Sequence, residues 1–306
     1  MPEKYASHRG FQAAINQRIT EQARALSRPP AELHREFYMQ RMLARVFADP
    51  ASPWILKGGT ALLVRISGAR HSQDVDLLHL DADLERAFEE LDRTVSATSS
   101  LDRLTFQLDV RQRNVHEGST AVWQVRATPR LGTRDLQHFP IDLTAGRTLI
   151  GRIDRIAPKQ TIEIADVAPL PPFACYPLAD QIADKLAAMY EYHGAAQHPS
   201  TRWRDLVDLL LILRTSAFDA AAVVSALDHQ RARRPALQLP GSIHTPGPRW
   251  HDAYPALAAS VTGLPKALHR LDDALAFLGR CMNPLLDGTV STGTWNPTEC
   301  RWDSPR

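Results

Sequence analysis

Trp54-Ile55-Leu56-Lys57-Gly58-Gly59-Thr60-Ala61-Leu62-Leu63-Val64-Arg65, running on through Ile66-Ser67-Gly68-Ala69-Arg70-His71-Ser72 to Gln73-Asp74-Val75-Asp76-Leu77-Leu78, decides the fold. An apolar strand from Trp54 to Leu56 enters a Lys-Gly-Gly-Thr turn, a short apolar helix follows, and a second strand carries Asp74 and Asp76. Side chains alternate along a strand, so both carboxylates are expected on one face. Two like charges held so close cost energy unless a cation joins them, and hard oxygen ligands suit Mg²⁺. Strand, glycine turn, helix and carboxylate pair together suggest a site for a metal and a nucleotide.

The rest of the chain sets bounds on that reading. At 306 residues, with 44% hydrophobic and 23% charged side chains, it has the composition of a globular protein with one large or two modest domains. The formal net charge of +2 argues against a strong, general nucleic-acid binder, although local arginine patches remain available for phosphate. Only five of the 36 basic residues are lysines (Lys4, Lys57, Lys159, Lys185 and Lys266), so each is worth inspecting. Three scattered cysteines, Cys175, Cys281 and Cys300, fit neither a disulfide framework nor a zinc site. A reduced cytoplasmic setting is expected, since no run approaches the ~20 apolar residues of a membrane span and no signal peptide is evident.

Outward from the central stretch, residues 11–28 and 31–48 read as helices separated by Pro29-Pro30. Arg35, Arg41 and Arg45 on the second have two readings, a solvated face on a packing helix or a contact with RNA. A helix is expected over Asp81–Val95, led by Asp81, Asp83 and Glu85. Alternation predicts strands over Leu104–Val110, Ala121–Ala127 and Phe139–Leu143, with Asn114–Ser119 closing a hairpin between the first two. In the last strand Asp142 faces away from Ile141 and Leu143 and puts a third carboxylate on a sheet face. Ala168-Pro169-Leu170-Pro171-Pro172 is a stiff connector. The expected domains are therefore 1–50 (N-terminal helices), 51–170 (a mixed α/β core) and 171–306 (helical).

Beyond the connector, Leu178, Ile182, Leu186 and Met189 form an apolar helical stripe that includes Lys185. A buried lysine must be paired, or its pKa falls. Further helices are expected over Arg202–Arg214, with Asp205 and Asp208 on one face, over Asp219–Gln230, and over Leu264–Met282. Residues 231–251 read as an irregular basic loop, and the segment from Asn283 as a poorly ordered tail.

Singly these signals are weak. A Gly-Gly pair is usually only a tight turn, an Asp-x-Asp strand can lie on a solvated edge, and Lys185 can snorkel at a helix end. Jointly, Gly58-Gly59-Thr60, Ser72, Asp74, Asp76, Asp142, Lys185 and Asp205 supply a phosphate turn, metal carboxylates and a cation for triphosphate. Phosphoryl or nucleotidyl transfer depends mainly on such positioning and charge neutralisation.

Four segments in order, Leu56-Lys57-Gly58-Gly59-Thr60-Ala61-Leu62, Arg70-His71-Ser72-Gln73-Asp74-Val75-Asp76-Leu77, Asp184-Lys185-Leu186-Ala187-Ala188 and Arg204-Asp205-Leu206-Val207-Asp208-Leu209, resemble the AbiEii/AbiGii nucleotidyltransferase toxins, which include the mycobacterial MenT group. The resemblance spans roughly residues 50–215. It implies an α+β (α/β) fold: a DNA polymerase β-like nucleotidyltransferase core with a mixed sheet, N-terminal helices and a helical C-terminal domain. It further implies an enzyme of the nucleotidyltransferase class (EC 2.7.7) that uses Mg²⁺ and a nucleoside triphosphate to add nucleotides to RNA. In the best understood members the acceptor is the tRNA 3′ end, translation is blocked, and a cognate antitoxin restrains the toxin. The free chain is expected to be a monomer.

Carried over by position, Gly58, Gly59 and Thr60 resemble the phosphate-binding turn, and Ser72 a hydroxyl lining the triphosphate pocket. Asp74 and Asp76 resemble the metal ligands, with Asp142 the candidate third carboxylate that helps activate the attacking hydroxyl. Lys185 resembles the lysine that meets triphosphate, and Asp205 a carboxylate orienting that lysine or the nucleotide. Arg65, Arg70, Arg202 and Arg204 are candidates for the RNA backbone, and Ser72 for a phosphorylation switch that would repel triphosphate. The alternatives are transfer to a protein or small molecule, a non-catalytic nucleotide-binding regulator, and a metal-dependent nuclease.

Overall fold

Pro29 and Pro30 do what their chemistry requires: Pro30 opens a helix at the one position where its missing N–H costs nothing. The helix before it, α1 (His8–Leu26), starts on Ser7, whose hydroxyl accepts from the Gly10 amide, and ends on Ser27 in the left-handed region at φ 52°. Phe11, Ile15, Ile19 and Ala23, four residues apart, form its buried stripe. This computed structural model describes residues 4–66, 68–81, 83–114, 121–194 and 197–304. The chain divides into two units, one of residues 1–65, 71–148 and 154–175, the other of 66–70, 149–153 and 176–306.

In the first unit, α2 (Pro30–Val46) overturns the expected solvated arginine face, because Arg41 and Arg45 are only 1% and 5% exposed. Both grip one carboxylate. Arg41 Nε donates to Asp102 Oδ2 at 2.8 Å and Arg45 Nη2 to Asp102 Oδ1 at 2.8 Å, while Arg41 also reaches the Leu101 and Ala168 carbonyls. A buried guanidinium needs such a partner set. Asp102, far off in the sequence, supplies it.

The sheet of this unit runs in the order β3 (Leu104–Asn114), β4 (Val122–Leu131), β6 (Phe139–Ala145), β2 (Val75–His79), β1 (Trp54–Lys57), β8 (Phe173–Cys175), β7 (Asp154–Ile156), with β5 (Arg134–Asp135) paired to β4. It is mixed: β2 runs parallel to β6 and β1 parallel to β8, and the other pairs are antiparallel. Alternation is clean on β4, where Trp123, Val125, Ala127 and Leu131 are buried between more exposed neighbours. The helix α3 (Gly58–Arg65) joins β1 to β2, and α4 (Leu84–Ser96) follows β2, capped by Asp83, whose carboxylate accepts from the Arg86 amide. The hairpin expected at Asn114–Ser119 lies largely outside the described residues. Because β2 begins at Val75, Asp74 precedes the strand, and the expected placement of both aspartates within it is corrected.

The second unit is mainly helical: α5 (Leu178–Tyr190), α6 (Trp203–Thr215), α7 (Ala220–Arg233), α8 (Trp250–Ala259) and α9 (Leu271–Leu286). Short strands accompany them, β9 (Tyr192–His193) with β10 (His198–Pro199), and β11 (Phe218–Asp219) with β12 (Thr294–Asn296) and β13 (Arg301–Asp303). Two expectations are corrected here. The last helix starts at Leu271 and not at Leu264, because Pro265 restrains the residue before it and Arg270 is extended at ψ 137°. Residues 284–304 are packed onto this unit in place of the expected poorly ordered tail: Trp295 is fully buried and its indole N–H donates to the Leu213 carbonyl at 2.7 Å. Among the described residues no helix is long and apolar enough to cross a membrane.

Candidate active site

The pairing register builds the site in the first unit. Across four neighbouring strands, Gln124 lies opposite Asp142, Asp142 beside Asp76, and Asp76 opposite Lys57. Direct cross-strand neighbours share a face, so the four form one polar row. The rows on either side, Val125, Ile141 and Val75, and Trp123, Leu143 and Leu77, point the other way into the core. Asp76 and Asp142 are only half-buried. The sheet thus offers two carboxylates to solvent side by side.

Gly58 closes one end of the row. It adopts φ +64°, and a Cβ there would stand 1.7 Å from Asp76 Oδ2. Only glycine supplies both the left-handed backbone and the room for that carboxylate. Gly59 and Thr60 are buried in the first turn of α3. The Thr60 hydroxyl donates to the Asp74 carbonyl at 2.6 Å, and the Ser72 hydroxyl donates to Asp74 Oδ1 at 2.6 Å. A hydroxyl has one proton to give, so as placed both are spent on holding Asp74. Ser72 is 2% exposed, which puts its hydroxyl out of a kinase's reach unless this segment opens.

Among the described residues no group of three or more His, Cys, Asp or Glu side chains is gathered as a ready-made metal cage. A half-buried carboxylate pair nevertheless fits Mg²⁺. That ion commonly takes one or two protein carboxylates and completes its octahedron with phosphate oxygens and water.

The second unit gathers the remaining candidates around a lysine. Lys185 Nζ, on α5, donates to Asp205 Oδ1 at 2.8 Å and to Asp208 Oδ2 at 2.6 Å, both on α6 one turn apart. Burial alone would lower the pKa of this ammonium, but the charges and hydrogen bonds of the two aspartates outweigh it, and the pKa is raised. Lys185 is a fixed cation. Arg70, a candidate for RNA, instead forms a two-pronged pair with Asp208, Nε to Oδ1 at 2.9 Å and Nη2 to Oδ2 at 3.1 Å. Arg65 pairs with Asp154 at 2.7 Å within the first unit, and Arg202 with Asp205 at 3.5 Å within the second.

Each unit therefore brings together its own share of the expected residues: Gly58, Gly59, Thr60, Ser72, Asp74, Asp76 and Asp142 in the first, Lys185 and Asp205 in the second. Sequence reasoning missed Gln124, Lys57 as a member of the carboxylate row, and the double use of Asp208. Gln124 carries no local signal, since its place depends on register alone.

A family model described as "Nucleotidyl transferase AbiEii toxin, Type IV TA system" matches residues 41–277. The chain belongs to the AbiEii family. Its fold is shared with MenT4, a nucleotidyltransferase toxin from Mycobacterium tuberculosis H37Rv, at 17% identity and TM-score 0.51, over 88% of this chain and 89% of that one. JHP933 from Helicobacter pylori aligns over 84% of this chain and 92% of its own, at 16% identity and TM-score 0.44. No curated sequence matches the chain. The AbiEii family is described as nucleotidyltransferase toxins of type IV toxin–antitoxin systems, and the chain has a mixed α/β architecture.

Proposed function

We propose that this AbiEii protein is a cytoplasmic, Mg²⁺-dependent enzyme of class EC 2.7.7 that transfers nucleotides from a nucleoside triphosphate to the 3′ end of tRNA and so blocks translation. It acts as a monomer when free of its cognate antitoxin. The observation that carries the reading is the row in which Asp76 and Asp142 stand side by side on adjacent parallel strands, with Gly58 pressed against Asp76.

In this reading Asp74, Asp76 and Asp142 would hold Mg²⁺, and the ion would offset the charge of the triphosphate. The acceptor's 3′-oxygen bonds to the α-phosphorus, and the bond to the bridging oxygen of the β-phosphate breaks. Pyrophosphate leaves with the electron pair, and Asp142 receives the hydroxyl proton. Because the Thr60 and Ser72 hydroxyls are engaged with Asp74, phosphate contact falls to the backbone amides where α3 begins, at Gly59 and Thr60. The role assigned to Lys185, by its resemblance to the family's lysine, is to supply positive charge for the triphosphate, and within its own unit Asp205 and Asp208 keep it protonated and oriented.

The test is incubation of purified protein with Mg²⁺, each labelled nucleoside triphosphate and total RNA, followed by separation into RNA, protein and metabolite fractions. Label should enter the tRNA band and require Asp76. Label in protein or small molecules would move the acceptor elsewhere. No label in any fraction, or equal label with Asp76→Ala, would overturn the reading.

A further inference from the structure

The carboxylate row of the first unit does not stop at Gln124. In the register of β3 on β4, Gln112 lies opposite Gln124, so the row reads Gln112, Gln124, Asp142, Asp76, Lys57 across five neighbouring strands. Both glutamines are exposed, whereas the two aspartates are half-buried. Charge is therefore sorted along the row: a lysine at one end, two carboxylates in the middle, and two neutral amides toward the rim of the sheet. Arg126, the next residue along β4 on this face, has its charge balanced by Asp109 across the strand at 3.4 Å.

The chemistry gives the row a direction. Displacement at phosphorus keeps the attacking and leaving oxygens roughly in line, on opposite sides of the phosphorus. With phosphate contact at the start of α3, beside Gly58, the leaving pyrophosphate belongs at the lysine end of the row. The acceptor then enters from the far side of Asp142, over the amides. Strands lie about 4.8 Å apart, so a 3′-hydroxyl held at Asp142 keeps its vicinal 2′-hydroxyl within reach of a side chain one strand away. A ribose 2′-hydroxyl both donates and accepts, as a carboxamide does, and it carries no charge for a cation to meet. A phosphate in that place would call for a cation, and on this side of the carboxylates the row offers amides.

We propose that Gln124 binds the 2′-hydroxyl of the acceptor's terminal ribose and so makes the site select RNA ends over DNA ends. The order of groups along the row rests on the transfer reading above; the residue that tells ribose from deoxyribose goes beyond it.

The experiment crosses two proteins with two acceptors on the full chain. The proteins are the unmodified chain and Gln124→Leu, an exchange at an exposed strand position, with Gln124→Thr in reserve should the leucine variant aggregate. The acceptors are tRNA transcripts that differ only in whether the terminal sugar carries its 2′-hydroxyl. Transfer is read as kcat/KM for the acceptor and KM for the nucleotide, and equilibrium binding of each acceptor is read separately by fluorescence anisotropy without nucleotide. The unmodified protein should favour the ribose end by about fivefold or more, the worth of one net hydrogen bond. Gln124→Leu should lose most of that preference while KM for the nucleotide stays within about twofold. Comparing preferences between proteins cancels any intrinsic difference in reactivity between the two 3′-hydroxyls. An equal preference in both proteins, or none in the unmodified one, would overturn the proposal. Absence of transfer by the unmodified protein would instead sink the transfer reading. The binding arm then decides for Gln124 on its own: a ribose preference lost in Gln124→Leu upholds the contact, and a preference retained, or no measurable binding, ends it.

Discussion

At the scale of single residues, the pair Asp76 and Asp142 makes a binding prediction independent of turnover. If Mg²⁺ joins the two carboxylates, it stabilises the folded state by mass action, by about 1.4 kcal/mol at roughly ten times its Kd. Thermal denaturation with and without Mg²⁺ should show a rise in Tm for the unmodified protein and little or none for Asp76→Asn or Asp142→Asn. A rise of equal size in all three would place the ion elsewhere. His71 makes a pH prediction. Burial first, then the Arg28 charge, lower its pKa, with Arg35 adding to this and Glu32 and Glu36 opposing it. Arg28 Nη2 lies 3.1 Å from His71 Nδ1, so the neutral ring accepts from the guanidinium. With a folded-state pKa below the ordinary 6.5, the contribution to stability is present above pH 6.5 and lost as pH falls through the folded value. Denaturant titrations from pH 7 to pH 5 should lose stability more steeply in the unmodified protein than in His71→Asn.

At the scale of elements, the Arg41–Asp102–Arg45 cluster fastens α2 to the loop before β3. Removing the shared carboxylate leaves two guanidinium groups buried without it, so Asp102→Asn should cost about 3–5 kcal/mol. Urea denaturation measures this directly, and a loss below about 1 kcal/mol would mean that the Leu101 and Ala168 carbonyls suffice. The same cluster marks where sequence reading stops. Elements whose signal is local were legible: the helices flanking Pro29-Pro30, the alternating β3 and β4, and α5 with Lys185 on its apolar stripe. Arg41 and Arg45 looked like a solvated face because their counter-ion lies in another element, and Gln124 joined the carboxylate row only through the register of β4 on β6. α8 escaped because its start at Trp250 follows a proline- and glycine-rich run and Pro255 lies inside it. Of the candidate site, the carboxylates and the lysine were readable from their improbable residue types. The hydroxyls were readable as present but not as already spent on Asp74.

At the scale of the whole molecule, the C-terminal strands belong to the helical unit. Trp295 packs 5.5 Å from Trp302 and 6.4 Å from Phe218, ring centre to ring centre, and β12 pairs with β11. A chain ending at residue 287 uncovers Phe218 and leaves the Leu213 carbonyl without its indole donor. Burial of an aromatic of this size stabilises by about 2–3 kcal/mol. The shortened protein should unfold at a Tm lower by several degrees, about 2–4 °C per kcal/mol for a chain this long. An unchanged Tm would show the strands to be dispensable.

The lysine clamp has a consequence for protein chemistry. In a chain with five lysines, an amine-directed acylating reagent at mildly alkaline pH meets Lys4, Lys159 and Lys266 exposed and Lys57 half-covered. Lys185 stays protonated and enclosed between two carboxylates, and a protonated amine is no nucleophile. Lys57 flanks the carboxylate row, so mass spectrometry of its acylation becomes a reporter of what occupies that face. Three surface lysines serve as internal standards, and Lys185 as a silent one that speaks only when the clamp is opened.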